Sequence, residues 1–295
     1  MQERTFGVDN MNEYELIKNL FSDIPDLFKT DASLVDIGKD KWGITCDSFS
    51  LEEDLFTDEN PYRLGHNMAV ATISDLIATG CQPTFYQHSL ITSPKYDENW
   101  YEKLIQGIQE ALKEYKMLLT GGDMGQSSKF AYTGIAIGKQ IKDISRIFQN
   151  KKEFLYVSGP LGDFNASVLN KTPTPEIEIR TLPDSISSCI DTSSGFMDAI
   201  WQLHILNPNF KIDLHNVPRE NYALLFGEAG EYEYIFTSPE KDIKNAICIG
   251  KVIPDSKGVF LDNHEITKEP PHARSYPDLK QYIEVIQRQL HEYFK

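Results

Sequence analysis

Four aspartates at the borders of apolar segments are the residues of this sequence that point most clearly to chemistry. Asp47, Asp75 and Asp123 end the runs GITCD, ATISD and LLTGGD, and Asp31 precedes the run SLVD. A carboxylate at the end of a buried strand, or inside a helix, is costly to remove from water unless a cation or a hydrogen-bond donor faces it. Acidic side chains outnumber basic ones, and the formal net charge is −15. We therefore predict that these carboxylates share a divalent metal ion, and oxygen-bound metals commonly bind phosphate as well.

Each acidic segment also has a structural interpretation when it is read alone. Asp47 is compatible with a turn or a helix cap, whereas Asp75 lies in a predicted helix with no Lys or Arg three or four positions away. Residues 120–128 predict a glycine-rich turn, either a plain loop or a loop whose backbone N–H groups bind an anion. Asp191 precedes another predicted helix, and capping of that helix is favoured over phosphate binding.

The composition bounds the class of protein. The chain has 295 residues, 40% of them hydrophobic and 25% charged, which predicts a globular protein of two domains. A sequence pI near 4.9 argues against nucleic acid as a partner. No apolar run is long enough to cross a membrane, and the N-terminus does not resemble a signal peptide. Four widely spaced cysteines without a C-x-x-C pair favour free thiols rather than zinc binding, so we expect a cytoplasmic protein.

Hydrophobic periodicity predicts the elements that position the aspartates. In the first half, helices are predicted over 11–29, 62–80 and 97–115, and strands over 33–37, 42–47, 85–91, 117–120 and 131–138. In the second half, strands are predicted over 154–159, 232–237 and 246–252, and helices over 196–206 and 279–294. The change to a basic, polar composition at 139–153 separates a domain at 1–139 from one at 140–295, both of them α+β.

Taken in order, these segments resemble the thiamine-monophosphate kinases of the PurM-like (AIR synthase) superfamily. The segment LGHNMAVATISDLIATG at 64–80 strongly resembles that family's central helix, and GGD at 121–123 matches its glycine turn. The other matching segments are NEYELI at 12–17, DASLV at 31–35, TCDS at 45–48, Arg146 before YVSGPLGD at 156–163, DTSSG at 191–195 and GEYEYIF at 230–236. The resemblance is collinear over nearly the whole chain.

The resemblance implies a two-domain PurM-like subunit that forms a homodimer through its N-terminal domain and binds ATP and several Mg²⁺ ions. Such a kinase passes the γ-phosphoryl group of ATP to a phosphate oxygen of thiamine monophosphate. The residues implied to face the metals are Asp31, Thr45, Cys46, Asp47, Asp75, Asp123 and Asp191. Those implied to face the nucleotide are Gly121, Gly122, Arg146 and Ser193. The residues implied to act in catalysis are Arg146, Asp191 and Ser193. The residues implied to face the substrate are Asp54, Glu228 and Glu231.

The sequence departs from this family at three places. Thr30 stands where the family has the first of two aspartates, Ser194 replaces an aspartate, and Asp54 replaces a histidine. An insertion before Glu231 also leaves open whether Glu228 or Glu231 faces the substrate. Two other functions therefore stay open: an ATP-using PurM-like enzyme related to AIR synthase with a different substrate, and a catalytically inactive ATP-binding homologue.

Overall fold

The computed structural model describes residues 17, 20, 21, 23, 24, 28–51, 57, 60–218, 225–272, 275, 276 and 279–294. Asp54 and most of the predicted opening helix lie outside these residues. Within them, the chain forms two β-sheets and five helices. None of the described helices combines the length and the apolar character that a membrane-spanning helix needs.

The first sheet contains five strands in the order β1-β2-β5-β3-β4. The strands are β1 (Ser33–Ile37), β2 (Asp40–Phe49), β3 (Cys81–Thr92), β4 (Leu118–Gln126) and β5 (Ala131–Gln140). β3 and β4 pair in parallel, and the other neighbours are antiparallel. The hairpin between β1 and β2 turns at Gly38, whose φ of +67° suits a residue without Cβ.

Helix α1 (Pro61–Ala78) crosses one face of this sheet and carries Asp75 into the interior. Its first turn is fixed by Asn60, whose side chain accepts a hydrogen bond from the Arg63 backbone N–H at 3.2 Å. The helix ends before Gly80, which has a φ of +74°. Most of α1 is buried, because the sheet covers one side and helix α2 (Glu98–Glu114) covers another.

Replacing Gly107 of α2 by alanine is expected to destabilise the protein by about 2 kcal/mol or more. A Cβ at Gly107 would lie only 1.8 Å from the backbone oxygen of Tyr62 on α1, so the two helices would have to separate. This clash outweighs the gain in helix propensity, which is at most about 1 kcal/mol. Urea unfolding of Gly107→Ala measures the effect, with Gln106→Ala on the exposed side of α2 as the control. Equal midpoints for the two variants would contradict close packing of the helices.

The second sheet contains seven strands in the order β12-β11-β8-β10-β6-β9-β7. The strands are β6 (Glu153–Val157), β7 (Ser188–Asp191), β8 (Phe210–Leu214), β9 (Tyr234–Ser238), β10 (Ile247–Pro254), β11 (Gly258–Leu261) and β12 (His264–Ile266). The accompanying helices are α3 (Asp163–Asn170), α4 (Phe196–Leu206) and α5 (Leu279–Tyr293). The chain passes from the first sheet to the second between Gln140 and Glu153, inside the segment predicted as a boundary.

Residues 171–180 join the two halves of the molecule. Asn67 of α1 donates a hydrogen bond to the Pro175 oxygen at 2.7 Å and accepts one from the Ile177 N–H at 3.0 Å. Ile177 is buried in the hydrophobic core of the first half. Tyr234 of β9 donates to the Ser74 backbone oxygen on α1 at 3.3 Å. These contacts bring the end of β7 close to α1.

One predicted element is wrong in type. The glycine-rich residues 120–128 were expected to form a turn, but β4 runs through Gly121, Gly122 and Gly125 as a strand. Residues 85–92 of β3 pair with it in parallel, with one irregularity of register at Tyr86/Gln87. The backbone hydrogen bonds of this ladder outweigh the weak strand preference of glycine, and the partner lies too far along the sequence for local patterns to reveal it.

Candidate functional site

Three aspartates from three separate elements meet between the two sheets. Asp31 lies just before β1, Asp75 lies in α1, and Asp191 is the last residue of β7. One carboxylate oxygen from each residue lies within 4.8 Å of those of the other two. The Asp31 side chain is only 2% exposed, and Asp191 is buried. This group is called the aspartate cluster below.

Neighbouring hydroxyl groups hold the carboxylates in place. Thr45 of β2 donates a hydrogen bond to Asp75 Oδ2 at 2.6 Å. Ser74 Oγ hydrogen-bonds Asp191 Oδ2, and Ser193 donates to Asp191 Oδ1 from its hydroxyl group at 2.7 Å and from its backbone N–H at 3.2 Å. Because these donors are uncharged, they orient the oxygens without neutralising them.

Among the residues that the structure describes, Arg146 is the cation that contacts the aspartate cluster. Its guanidinium group forms an ion pair with Asp31 and is only 13% exposed. Its backbone is fixed by a hydrogen bond from its N–H to the Lys29 oxygen at 2.7 Å and by one from the Asn207 side chain to its own oxygen at 3.0 Å. Since one guanidinium faces three carboxylates, the ionised site carries an excess of negative charge.

The pKa values of the aspartate cluster reflect this excess. Burial raises the pKa of Asp31 to about 6, with Arg146 opposing the shift and Asp191 adding to it. Burial also raises the pKa of Asp75 well above its ordinary range, and the charges of Asp47, Asp191 and Asp31 raise it further. A divalent cation would supply the missing positive charge, and a set of carboxylate and hydroxyl oxygens suits Mg²⁺.

The metal-free protein is expected to lose stability as the pH rises from about 4 to above 6. A raised pKa in the folded state means that the folded protein binds more protons than the unfolded chain over this range, so the free energy of unfolding falls with increasing pH. Thermal unfolding from pH 4.5 to 7.5 in chelator measures the slope. We expect Asp75→Asn to flatten the dependence of stability on pH. We also expect a smaller slope when about 10 mM Mg²⁺ replaces the chelator. A slope that Asp75→Asn leaves unchanged would contradict this assignment.

Asp47 and Cys46 lie side by side on β2 but face opposite sides of the sheet. Asp47 shares the face of Thr45 and lies close enough to raise the pKa of Asp75. Cys46 is exposed on the other face. Partial burial of its thiol and the charge of Asp47 raise the pKa of that thiol. Because side chains alternate along a strand, the Cys46 side chain points away from the aspartate cluster, and the predicted role of Cys46 at the metals stays a prediction.

Gly121, Gly122 and Asp123 lie on β4, away from the aspartate cluster. Asp47 pairs with Gly134, Gly134 with His88, and His88 with Gly122, so three strand spacings of about 4.8 Å separate Asp47 from Gly122. Asp123 is exposed and, among the described residues, is not part of the group of oxygens within 4.8 Å. The structure therefore does not bring these three residues to the aspartate cluster within one chain, and their predicted roles stay predictions.

Asp191 does not cap the helix that follows it, contrary to the favoured sequence interpretation. The residue before α4 is Gly195, with a φ of +93°, and it makes no side-chain cap hydrogen bond. Asp191 lies four residues earlier, at the end of β7, where its carboxylate accepts hydrogen bonds from Ser193. Ser194 instead contacts Gln202, whose side-chain amide donates to its hydroxyl group at 3.2 Å.

The two candidate substrate residues of the second half have different surroundings. Glu231 is buried and accepts hydrogen bonds from the N–H groups of Phe164 and Asn165 at 3.2 Å, and from the Asn165 amide at 2.8 Å. These contacts hold the start of α3, which is a structural role. Glu228 forms an ion pair with His272 at 3.2 Å. The sequence patterns did not single out His272.

Comparison with known proteins finds similar sequences. Residues 29–140 match the family model described as "AIR synthase related protein, N-terminal domain". A thiamine-monophosphate kinase from Archaeoglobus fulgidus is 28% identical over 283 residues, covering 86% of this chain and 93% of that protein. One from Haemophilus influenzae is 27% identical and covers 82% and 89%. Its first half is therefore similar to AIR synthase-related proteins, and most of its length is similar to proteins named thiamine-monophosphate kinases.

Several solved structures share the fold of this chain. The structure of AaThiL complexed with AMPPCP and TMP superposes with a TM-score of 0.73 at 20% identity, covering 87% of this chain and 94% of that one. The thiamine monophosphate kinase from Aquifex aeolicus gives a TM-score of 0.70 at 21% identity, with 87% and 99% covered. The hydrogenase maturation protein HypE from E. coli gives 0.65 at 17% identity, with 90% and 99% covered. The predicted α+β, PurM-like architecture is confirmed.

Proposed function

We propose that this chain is an ATP- and Mg²⁺-dependent kinase that converts thiamine monophosphate to thiamine diphosphate. The aspartate cluster carries the proposal, because three buried carboxylates beside one guanidinium form a site for divalent cations and phosphate. The relatives named as thiamine-monophosphate kinases cover most of the chain, and AaThiL binds AMPPCP and TMP. These names supply the substrate that the geometry leaves open.

In the proposed mechanism, Asp31, Asp75 and Asp191 hold the metal ions, with Asp47 and Thr45 beside them. Bound Mg²⁺ offsets the negative charge of the phosphate chain. Arg146 and Ser193 face the nucleotide phosphates, where the guanidinium supplies positive charge and the hydroxyl group a hydrogen bond. A phosphate oxygen of the substrate forms a bond to the γ-phosphorus as the bond to the ADP oxygen breaks, so the protein needs no nucleophile of its own.

The aspartate cluster is present although Thr30 and Ser194 replace two aspartates of the resembling family. At one of these positions, the Thr30 hydroxyl donates a hydrogen bond to the Ala32 oxygen at 2.8 Å and so stabilises the turn that presents Asp31. At the other, Ser194 follows directly after Ser193. We propose that metal and nucleotide binding persist with these substitutions.

We also propose that the chain works as a homodimer through the first sheet. The face of this sheet opposite α1 carries exposed apolar side chains, including Val35, Ile37 and Leu118, which are 38%, 54% and 61% exposed. Trp42 and Phe85 stack on the same face, with 6.2 Å between their ring centroids. An apolar face of this extent favours burial against a second copy.

The four free cysteines accord with a cytoplasmic location.

One assay tests the proposed function. Purified protein is incubated with Mg²⁺-ATP and thiamine monophosphate, and ADP and thiamine diphosphate are quantified. We expect the two products in equal amounts, and none without Mg²⁺. ATP consumption only with other phosphorylated metabolites would favour an AIR synthase-related enzyme, and saturable ATP binding without turnover would favour an inactive homologue. Either result would overturn the proposal.

A further inference from the structure

A second group of metal-binding side chains lies in the second half of the molecule. Asp198 is in the first turn of α4, Glu269 and His272 follow β12, and one ligand atom of each lies within 4.8 Å of those of the other two. Asp198 is 8% exposed, although it is an acidic residue. Glu228 joins the group through His272. None of these residues belongs to the aspartate cluster.

The orientation of His272 is the observation that points to a ligand. Its Nδ1 atom lies 3.2 Å from Glu228 Oε1, which fixes the ring and leaves Nε2 directed toward the other two carboxylates. Nε2 lies 3.5 Å from Glu269 Oε1 and 3.9 Å from Asp198 Oδ1, and it is buried without a hydrogen-bond partner among the described residues. Metal-binding histidines commonly donate their other ring N–H to a carboxylate in this way.

We infer that Asp198, Glu269 and His272 bind a divalent transition-metal ion, with Glu228 as the residue that positions His272. Ligands around 2.0–2.2 Å from a tetrahedral ion are about 3.4 Å apart, close to the two distances from Nε2. One imidazole with two carboxylates suits Zn²⁺, Mn²⁺ or Co²⁺ better than Mg²⁺, which prefers oxygen ligands alone. The inference adds a second metal site to the proposed kinase and does not depend on its substrate.

The position of the group relative to Ser194 gives the site a reason. Ser194 lies two residues before α4, and Asp198 lies in the first turn of that helix. The Gln202 amide connects the two residues, because it donates to Ser194 Oγ at 3.2 Å and to Asp198 Oδ2 at 2.7 Å. A metal bound at Asp198 would therefore place positive charge close to Ser194 and the adjacent Ser193, which the proposed function assigns to the nucleotide phosphates.

The competing explanation is a closed ion-pair cluster without metal. The neighbouring carboxylates of Glu228 and Glu269 raise the pKa of His272 to about 10, so in the metal-free protein an imidazolium neutralises part of the carboxylate charge. The two explanations differ in one observable. A metal ion displaces the proton from Nε2, whereas a closed cluster keeps it and binds no ion.

Zn²⁺ titration calorimetry of the full chain, without ATP or thiamine monophosphate, distinguishes them. The Asp75→Asn variant serves as background, because it weakens metal binding at the aspartate cluster. We expect one Zn²⁺ to bind, His272→Gln to weaken binding by more than about 10-fold, and Glu228→Gln by roughly 10-fold. His291→Gln, at an exposed histidine of α5, is the matched control and is expected to bind like the background.

Histidine ¹⁵N spectra of the otherwise unmodified protein provide a readout that does not depend on folding of the variants. Zn²⁺ is expected to shift the Nε2 resonance of His272 to that of a metal-bound nitrogen and to leave His291 unchanged. Absence of Zn²⁺ binding in the Asp75→Asn background, equal affinity after His272→Gln, or an unshifted His272 resonance would each overturn the inference. Because no kinase substrate is present, such a result would leave the proposed function untouched.

Discussion

Replacing Asp75 by asparagine is expected to lower the rate of thiamine monophosphate phosphorylation by roughly 100- to 1,000-fold. Asp75 lies next to both Asp31 and Asp191, so its carboxylate is central to the proposed metal site. The amide oxygen of asparagine can still accept the hydrogen bond from Thr45, so the local packing is retained. Steady-state kinetics at saturating ATP measures the effect.

The same substitution is expected to leave the metal-free protein as stable as the unmodified chain, or more so. The carboxylate of Asp75 is buried beside other negative charges, and its neutral isostere removes that repulsion. Asp36→Asn, on exposed β1, is the matched control and should change neither rate nor stability. A turnover of Asp75→Asn close to that of the control would contradict a metal role for the aspartate cluster.

Replacing Arg146 by methionine is expected to abolish activity and to cost about 3–5 kcal/mol of unfolding free energy. The substitution leaves the Asp31 carboxylate, 2% exposed, without its cationic partner. Denaturant unfolding in chelator measures the loss. Mg²⁺ is expected to restore part of it, because a metal ion can take over the charge of the guanidinium group.

A double-mutant cycle separates this ion pair from simple loss of packing. Combining Arg146→Met with Asp31→Asn is expected to recover most of the lost stability, since the Asp31 carboxylate is then no longer left without its cationic partner. Lys142→Met is the control: Lys142 pairs with Asp184, whose side chain is fully exposed, and such a pair contributes less than about 1 kcal/mol. A double variant as unstable as Arg146→Met alone would contradict the pairing.

Much of the fold follows from local sequence patterns. The predicted helix over 196–206 coincides with α4, and the helices around Asp75 and after Asp97 are displaced by one or two residues at most at each end. These segments have strong helical periodicity and clear end signals such as Gly80, so local information is sufficient. The strands β7, β8, β11 and β12 were not predicted. β7, β11 and β12 have four residues or fewer and give little periodic signal. β8 has five residues, but its partners β10 and β11 lie far along the sequence, so local patterns do not reveal the pairing.

The candidate site was predictable only in part. Asp31 and Asp75 could be named because buried acidic residues without local partners need a cation, whereas Asp191 was implied only by the resemblance to the kinase family. Ser74 and His272 could not be named from the sequence. Ser74 contacts Asp191, 117 positions away, and His272 contacts Glu228, 44 positions away. Asp123 illustrates the converse, because its segment matches the family while the structure places it on the outer strand of the sheet.

The most direct test of the account is a crystal structure of the protein with Mn²⁺ and AMPPCP, with manganese located by its anomalous scattering. We expect manganese peaks within bonding distance of the carboxylates of Asp31, Asp75 and Asp191, and the phosphate chain of the nucleotide on the far side of these ions with Arg146 turned toward it. Nucleotide bound elsewhere, or manganese with no bond to any of these three aspartates, would contradict the proposal that the aspartate cluster holds the metal and the nucleotide.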